Sequence, residues 1–260
     1  MPERPRRPHR REENVSVPPT DASADTDDLA DAGSSPPPPA DTGGEDTLDL
    51  HLSEELIALF AAGENTATTD GDLLDAVAAW SPAPTPVGSF RLVPVRLERD
   101  LTLISRWMND PAVAAFWELA GPETVTASHI RAQLVGDGRS VPCLGVLDST
   151  PMSYFEIYRA DLDPLARHYP ARPHDTGIHL LLGSVADRGR GIGTTLLRAV
   201  ADLVLDHRPR CTRVVAEPDL RNTPSVSAFL SAGFRFSAEV DLPDKRAALM
   251  VRDRTLRHVL

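Results

Sequence analysis

The chain has 260 residues, 41% of them hydrophobic and 25% charged, enough for a sizeable core and typical of a soluble protein. No apolar run approaches the roughly 18 residues of a membrane span, and the basic start MPERPRRPHRREEN lacks the apolar stretch of a secretory signal. Two cysteines, Cys143 and Cys211, and eight scattered histidines give neither a disulfide framework nor zinc spacing. A cytoplasmic protein without a metal or membrane attachment is therefore expected. The net charge of −11 is uneven: residues 1–46 carry −6 and residues 47–89 carry −7, which leaves 90–260 at +2 from 22 basic and 20 acidic side chains. That near-neutral part lacks the basic surface of an obligate nucleic-acid binder, yet leaves room for local anion sites.

Residues 1–46 are rich in Pro, Asp, Ser, Thr and Gly and nearly free of large apolar side chains. Burial there cannot offset ordering entropy, so an acidic, Pro-rich disordered tail is expected. Residues 47–89 read as a short helical extension. One helix starts at Ser53 and ends near Gly63, and a second runs from Asp70 to Trp80 until Pro82, Pro84 and Pro86 stop it. Two short amphipathic helices cannot form a core alone and should pack on the following domain or on a second subunit.

From Phe90 to the end the elements alternate. FRLVPVR reads as a strand, and LERDLTLISRWMND as a helix with Leu101, Ile104, Trp107 and Met108 on one face. A further helical stretch lies around Ala127–Val135. Strands VPCLGVLD and PMSYFEIYRA follow, joined near Ser149-Thr150, then a polar loop and the strand GIHLLLGSV. GRGIGTTLLRAVADLVLDH is a long helix, TRVVAEPD a strand and TPSVSAFLSAG a helix. FRFSAEVDLP and KRAALMVRD close the chain as strands. This order describes an α/β protein with a sheet of mixed direction.

The turn Arg188-Gly189-Arg190-Gly191-Ile192-Gly193-Thr194 lies between a strand and the long helix. Its glycines allow main-chain N–H groups to approach a ligand, and the helix behind points free N–H groups and a positive dipole end at the same space. The combination suits a pyrophosphate. It is not a Walker loop, which needs Lys-Ser/Thr, nor the dinucleotide GxGxxG, because position 194 is Thr.

R-x-x-G-x-G opening a helix after an apolar strand resembles the pyrophosphate motif of the GCN5-related N-acetyltransferase (GNAT) superfamily. The resemblance spans roughly 90–260 and includes Asn222 and the ending Ala232-Gly233-Phe234. It implies the GNAT fold: a mixed, mostly antiparallel sheet with a splayed central strand pair and flanking helices. It also implies acetyl-CoA or another acyl-CoA as co-substrate, held by backbone amides from Arg188 to Thr194, with Asn222 near the pantetheine. The backbone N–H near Leu181 would polarise the thioester carbonyl.

The ordered stretches WMNDP (107–111), FWE (116–118), YFEIY (154–158), GIHLL (177–181), EPDLRN (217–222) and PDKRAALM (243–250) resemble the siderophore-biosynthesis acyltransferases. That group contains the aerobactin-type N6-hydroxylysine acetyltransferase and the mycobactin-type lysine acyltransferase. The resemblance implies a small amine or hydroxylamine acceptor, with a siderophore synthetase or a second copy as possible protein partner. Aminoglycoside 6′-N-acetyltransferases and polyamine acetyltransferases are the competing enzymes, and a non-catalytic acyl-CoA sensor is the competing class.

Strand alternation puts Ile178, Leu180 and Leu182 on one face of GIHLLLG and leaves His179 and Leu181 on the other. An imidazole in so aliphatic a strand needs a partner or a task, and removing a proton from an attacking amine is such a task. A hydrogen-bonded core histidine is the structural alternative. Asp219 is expected to hold the acceptor nitrogen or to handle protons with His179, unless it serves as a turn or helix cap. Glu156 either holds a cationic acceptor or acts as a cross-strand ion partner. Trp117, Lys245 and Arg246 either line the acceptor pocket or are structural. Phe229 stands where many superfamily members carry a Tyr that protonates the leaving thiolate, so either that proton comes from elsewhere or the thiolate leaves unaided.

Overall fold

The computed structural model describes Leu74 and residues 76–257, all of which fall in one compact unit spanning 54–260. The tail expected over 1–46 and the helix expected from Ser53 to Gly63 lie outside the described residues. In the described part of the second expected helix, the structure forms only a three-residue 3-10 turn, Val77–Ala79. Ser81 precedes Pro82, and a residue before proline is pushed out of the helical region; Trp80 is already extended. The apolar side chains still find the core. Leu74 and Val77 are buried, and the Trp80 ring stacks on His207 at 5.3 Å.

The sheet starts earlier than the sequence suggests. Strand β1 (Ala83–Thr85) pairs antiparallel with β2 (Gly88–Pro94), and Pro84 is tolerated because β1 is an edge. Helix α1 (Leu97–Met108) buries Ile104, Trp107 and Met108, as its periodicity predicts. Helix α2 (Pro111–Trp117) is missing from the sequence reading, although its start is plainly signalled. The Asp110 carboxylate accepts from Ala112 N at 2.9 Å, and Pro111 opens the first turn. Helix α3 (Glu123–Leu134) completes this layer.

Strands β3 (Ser140–Leu147), β4 (Thr150–Arg159) and β5 (Thr176–Leu182) continue the antiparallel order. Helix α4 (Ile192–His207) then leads to β6 (Arg213–Ala216), and α5 (Thr223–Ser231) leads to β7 (Arg235–Asp241) and β8 (Arg246–Asp253). Among the described residues eight strands run in the order β1-β2-β3-β4-β5-β6-β8-β7, and β5–β6 is the one parallel pair. That pair is joined only at Thr176↔Val214 and Gly177↔Val215, beyond which the strands separate.

Each face of the sheet has its own apolar layer. Leu196, Leu197, Val200 and Val204 of α4 pack with Phe90, Phe155, Ile157 and Ile178. On the opposite face, Ile104, Trp107, Met108 and Ile130 pack with Leu144, Val146, Tyr154 and Leu181. Each such side chain contributes about 1.5–3 kcal/mol when fully buried. β5 belongs to both layers, Ile178 to the first and Leu181 to the second. A polar residue on β5 therefore sits deep in the molecule, at the opening of the split.

Candidate active site

Behind the split, the glycine turn has the backbone its sequence demands. Gly189 (φ 70°) and Gly191 (φ 78°) both lie in the left-handed region, and a Cβ at either would meet no atom within 4 Å. Conformation, not crowding, requires glycine there. The chain passes from Gly191 directly into α4, whose first-turn N–H groups have no intrahelical acceptor. Arg188 does not extend into the open space. Its guanidinium donates to Asp110 Oδ1 at 2.9 Å and to Leu182 O at 3.0 Å, tying the turn to the start of α2 and the end of β5. Arg190 is exposed and lies 3.5 Å from Ala186 O.

A cavity of about 280 Å³ occupies the split, lined by Ile178, His179 and Leu180 from β5 and by Ala216, Glu217 and Pro218 from the end of β6. His179 is half-buried and lies between two buried carboxylates. Its Nδ1 is 2.9 Å from Glu156 Oε2, and its Nε2 makes a short contact with Glu217 Oε1. The register explains the first partner, since β4 sets Glu156 directly opposite His179.

Glu156 is the hub of a larger network. Its Oε1 accepts from Gln133 at 2.6 Å and from the Tyr154 hydroxyl at 2.9 Å, and lies 2.5 Å from His129 Nε2. His129 and Gln133 are four residues apart on α3, so they share a face and reach the same carboxylate. Glu217 accepts from the Tyr158 hydroxyl at 2.6 Å and lies 3.7 Å from Lys245 Nζ.

Burial disfavours the charged imidazole, but the adjacent Glu217 and Glu156 carboxylates outweigh it, and the His179 pKa is pushed up to about 10. Burial likewise opposes ionisation of Glu156, yet hydrogen bonds from His129 and His179 hold it well below the usual carboxylate range. Glu217 is lowered in the same way, burial being outweighed by the charge and hydrogen bond of His179. At neutral pH the centre is an imidazolium clamped between two carboxylates. It can give up a proton, but both ring nitrogens are engaged, so it has no free lone pair.

The remaining expected residues divide. Trp117 packs edge-on against His179 at 6.1 Å between centroids and against Tyr154 at 5.6 Å, within the cavity wall. Lys245 also lines the cavity. Asn222 lines it while capping α5 by accepting from Ser225 N at 3.2 Å. Asp219 lines it too, but no hydrogen bond joins it to His179. Its carboxylate pairs with Arg221 at 2.6 Å and accepts from Arg221 N at 2.7 Å, and the Arg221 hydrogen bond lowers its pKa. The carboxylate in contact with the His179 Nε2 is Glu217, two residues before Asp219 in the same EPD stretch. Arg246 is not in the cavity wall; its exposed guanidinium pairs with Glu239 and Asp241 of β7.

Sequence reasoning also missed His129, Gln133, Tyr154 and Tyr158. The alternation Tyr154-x-Glu156-x-Tyr158 was a usable signal for one polar face of β4. Nothing local in α3 marked His129. Among the described residues, no group of three or more His, Cys, Asp or Glu is arranged to hold a metal ion, and both cysteines are free and buried.

A parallel pair that parts after two residues, a glycine-turned helix N-terminus behind it and an imidazole between two carboxylates at its mouth have the layout of an acyltransferase of the GNAT class. A family profile described as an acetyltransferase (GNAT) domain matches residues 96–242, and the chain belongs to this family. GNAT acetyltransferases draw their acyl group from acetyl-CoA. The chain is 36% identical over 188 residues to lysine N-acyltransferase MbtK of Mycobacterium sp. (strain MCS), covering 72% of this chain and 76% of that one. It is 38% identical over 155 residues to N(6)-hydroxylysine O-acetyltransferase of Escherichia coli, covering 60% and 49%. Among solved structures, AAC(6')-Ib in complex with paromomycin and acetyl-CoA is 26% identical with a TM-score of 0.56, covering 64% of this chain and 93% of that one.

Proposed function

We propose that the protein transfers the acyl group of an acyl-CoA to the side-chain nitrogen of a lysine-like acceptor in hydroxamate siderophore biosynthesis, with N6-hydroxylysine the best fit. The observation that carries this reading is the His179 imidazolium between Glu156 and Glu217 at the mouth of the split. The residues present fit the donor. Backbone N–H groups of Gly189 to Thr194 hold its pyrophosphate, the Arg188 N–H being engaged by Val185 O at 3.2 Å, and the space between β5 and β6, beside Asn222, takes its pantetheine arm. The donor supplies an activated thioester carbonyl. The Leu181 N–H expected to polarise it belongs to the β4 ladder, opposite Tyr154 and in phase with Gly183 N donating to Met152 O, so the N–H of Leu180, which faces the split, takes that part.

The acceptor lies against Trp117, with its nitrogen among Glu156, Glu217 and Asp219. An alkyl amine with an ordinary pKa of about 10.4 arrives charged and needs a base before it can attack. His179, already protonated, cannot take that first proton. A hydroxylamine nitrogen is less basic and arrives neutral, so it attacks without prior proton removal. His179 then acts as an acid rather than as the base its residue type first suggests. To donate to the departing sulfur, where Phe229 offers no hydroxyl, the His179 Nε2–H turns away from Glu217. Glu217 collects the proton released from the acceptor nitrogen and returns it to His179, so no proton is gained or lost by the enzyme.

The test is thiol release from acyl-CoAs with N6-hydroxylysine, lysine or an aminoglycoside, for wild type and His179→Ala. The expected result is strong preference for N6-hydroxylysine near pH 7, with turnover cut by about a hundredfold or more in the variant. Preference for the aminoglycoside by orders of magnitude would instead make this a drug-modifying enzyme. Acyl-CoA binding without turnover of any acceptor would leave a sensor.

A further inference from the structure

A second cavity, of about 250 Å³, shares His179 and Glu156 with the first but extends toward the end of β4, to Ser140, Tyr158, Asp163 and Arg139. It reaches the proton-handling pair from a side that the acyl donor does not need. Ser140 pairs with Tyr158 across β3 and β4, and Arg159 N donates to Arg139 O at 2.8 Å. Arg139 therefore lies about three residues along the sheet from Glu156, roughly 10 Å at the usual rise of a strand. Five bonds of about 1.5 Å separate the terminal nitrogen of a lysine-like molecule from its Cα, and an extended chain with its carboxylate spans roughly 9 Å. The two lengths match.

The charges at the far end also match. Arg139 is half exposed, and its Nε meets Asp137 in a surface ion pair of 2.6 Å, a contact of little strength in water. The Nη edge of the guanidinium faces Leu162 O at 3.5 Å, and a carboxylate could take that edge with better geometry. Asp163 uses Oδ1 to accept from Leu165 N at 2.9 Å, and a carboxylate has further acceptor positions for an ammonium. Burial raises the Asp163 pKa, and the charges of Glu217, His179 and Glu156 act on it as well, so it lies within electrostatic reach of the centre.

We propose that the second cavity holds the α-amino-acid end of the acceptor, with Arg139 on its carboxylate and Asp163 on its ammonium. This rests on the acyl-transfer reading above and narrows it to amino acids over diamines of the same length. The comparison is N6-hydroxylysine against N-hydroxycadaverine, which differs only by the lost carboxylate, in wild type, Arg139→Gln, Arg139→Glu and Asp163→Asn. Wild type should favour N6-hydroxylysine in kcat/KM by roughly tenfold to a hundredfold, mainly through KM, the range of one or two charge-assisted contacts. Arg139→Gln should bring the ratio near one, Arg139→Glu should invert it, and Asp163→Asn should raise the KM of N6-hydroxylysine. A wild-type ratio near one, or a ratio that Arg139→Glu leaves unchanged, overturns this proposal while N-hydroxycadaverine turnover keeps the acyl-transfer reading standing. Absence of turnover with either acceptor, while acyl-CoA binds, overturns both.

Discussion

Replacing Glu217 by Gln removes one of the two negative charges around the His179 proton at almost constant side-chain size. Two unit charges about 4 Å apart attract by roughly 4 kcal/mol at an effective dielectric constant of about 20, worth about three pH units of proton affinity. The imidazolium stands at about 10 with both carboxylates present. With Glu156 alone it should fall to roughly 7–8. A ¹³C-histidine NMR titration, with the resonance assigned through His179→Asn, reads this directly. Wild-type His179 should stay charged to about pH 9, and the variant should titrate near neutrality. Activity should follow the charged form. Wild-type kcat should fall only as the pH approaches 10, whereas Glu217→Gln, which also lacks the proton-collecting carboxylate and so starts lower at every pH, should fall further from about pH 7.5 upward. A raised folded-state pKa stabilises in full below the unfolded value of about 6.5, and that contribution fades as the pH rises through about 10. A wild-type His179 that titrates near 6.5, or a variant that keeps the wild-type titration, would refute the clamp.

Three further perturbations probe its surroundings. A Cβ at Gly177 would lie 2.0 Å from Tyr158 Cζ, and the Tyr158 ring sits 4.8 Å from that of His179. Gly177→Ala should therefore cost about 2 kcal/mol, lower Tm by roughly 4–8 °C in a thermal melt and reduce kcat as the ring shifts. An unchanged Tm and kcat would mean that the ring gives way freely. Arg188→Ala frees the glycine turn from Asp110 and Leu182, so the KM for the acyl donor should rise about tenfold with little change in kcat. The opposite pattern in steady-state kinetics would mean that Arg188 serves the chemical step. Phe229→Tyr should change wild-type kcat by less than about threefold, but should restore roughly tenfold in a His179→Ala background by supplying the missing donor. If the double variant binds acyl-CoA normally and recovers nothing, the thiolate takes its proton from another source.

Much of this protein is already written in its sequence, because the signals are local. The glycine turn reads as a phosphate cradle because Gly189 and Gly191 need the left-handed backbone, and R-x-x-G-x-G leads straight into a helix that must offer free N–H groups. Periodicity places α1 and α4, and alternation in GIHLLLG separates His179 from Ile178, whatever lies around them. Where local signals compete, the reading slips. In its described part the expected second helix is only a 3-10 turn before Pro82, and the Asp110-Pro111 start of α2 goes unread because the helix it opens is only seven residues long.

Tertiary structure alone decides what His179 is. Spacing along the chain cannot tell that antiparallel register sets Glu156 against one ring nitrogen, or that the parting of β5 from β6 brings Glu217 against the other. It cannot tell that Asp219 is taken by Arg221, or that Arg246 faces β7. An isolated histidine in water has its ordinary pKa of about 6.5 and reads as a base. Two buried carboxylates from distant strands raise its proton affinity, because charge interactions depend on distance through space and on the surrounding dielectric, and folding sets both.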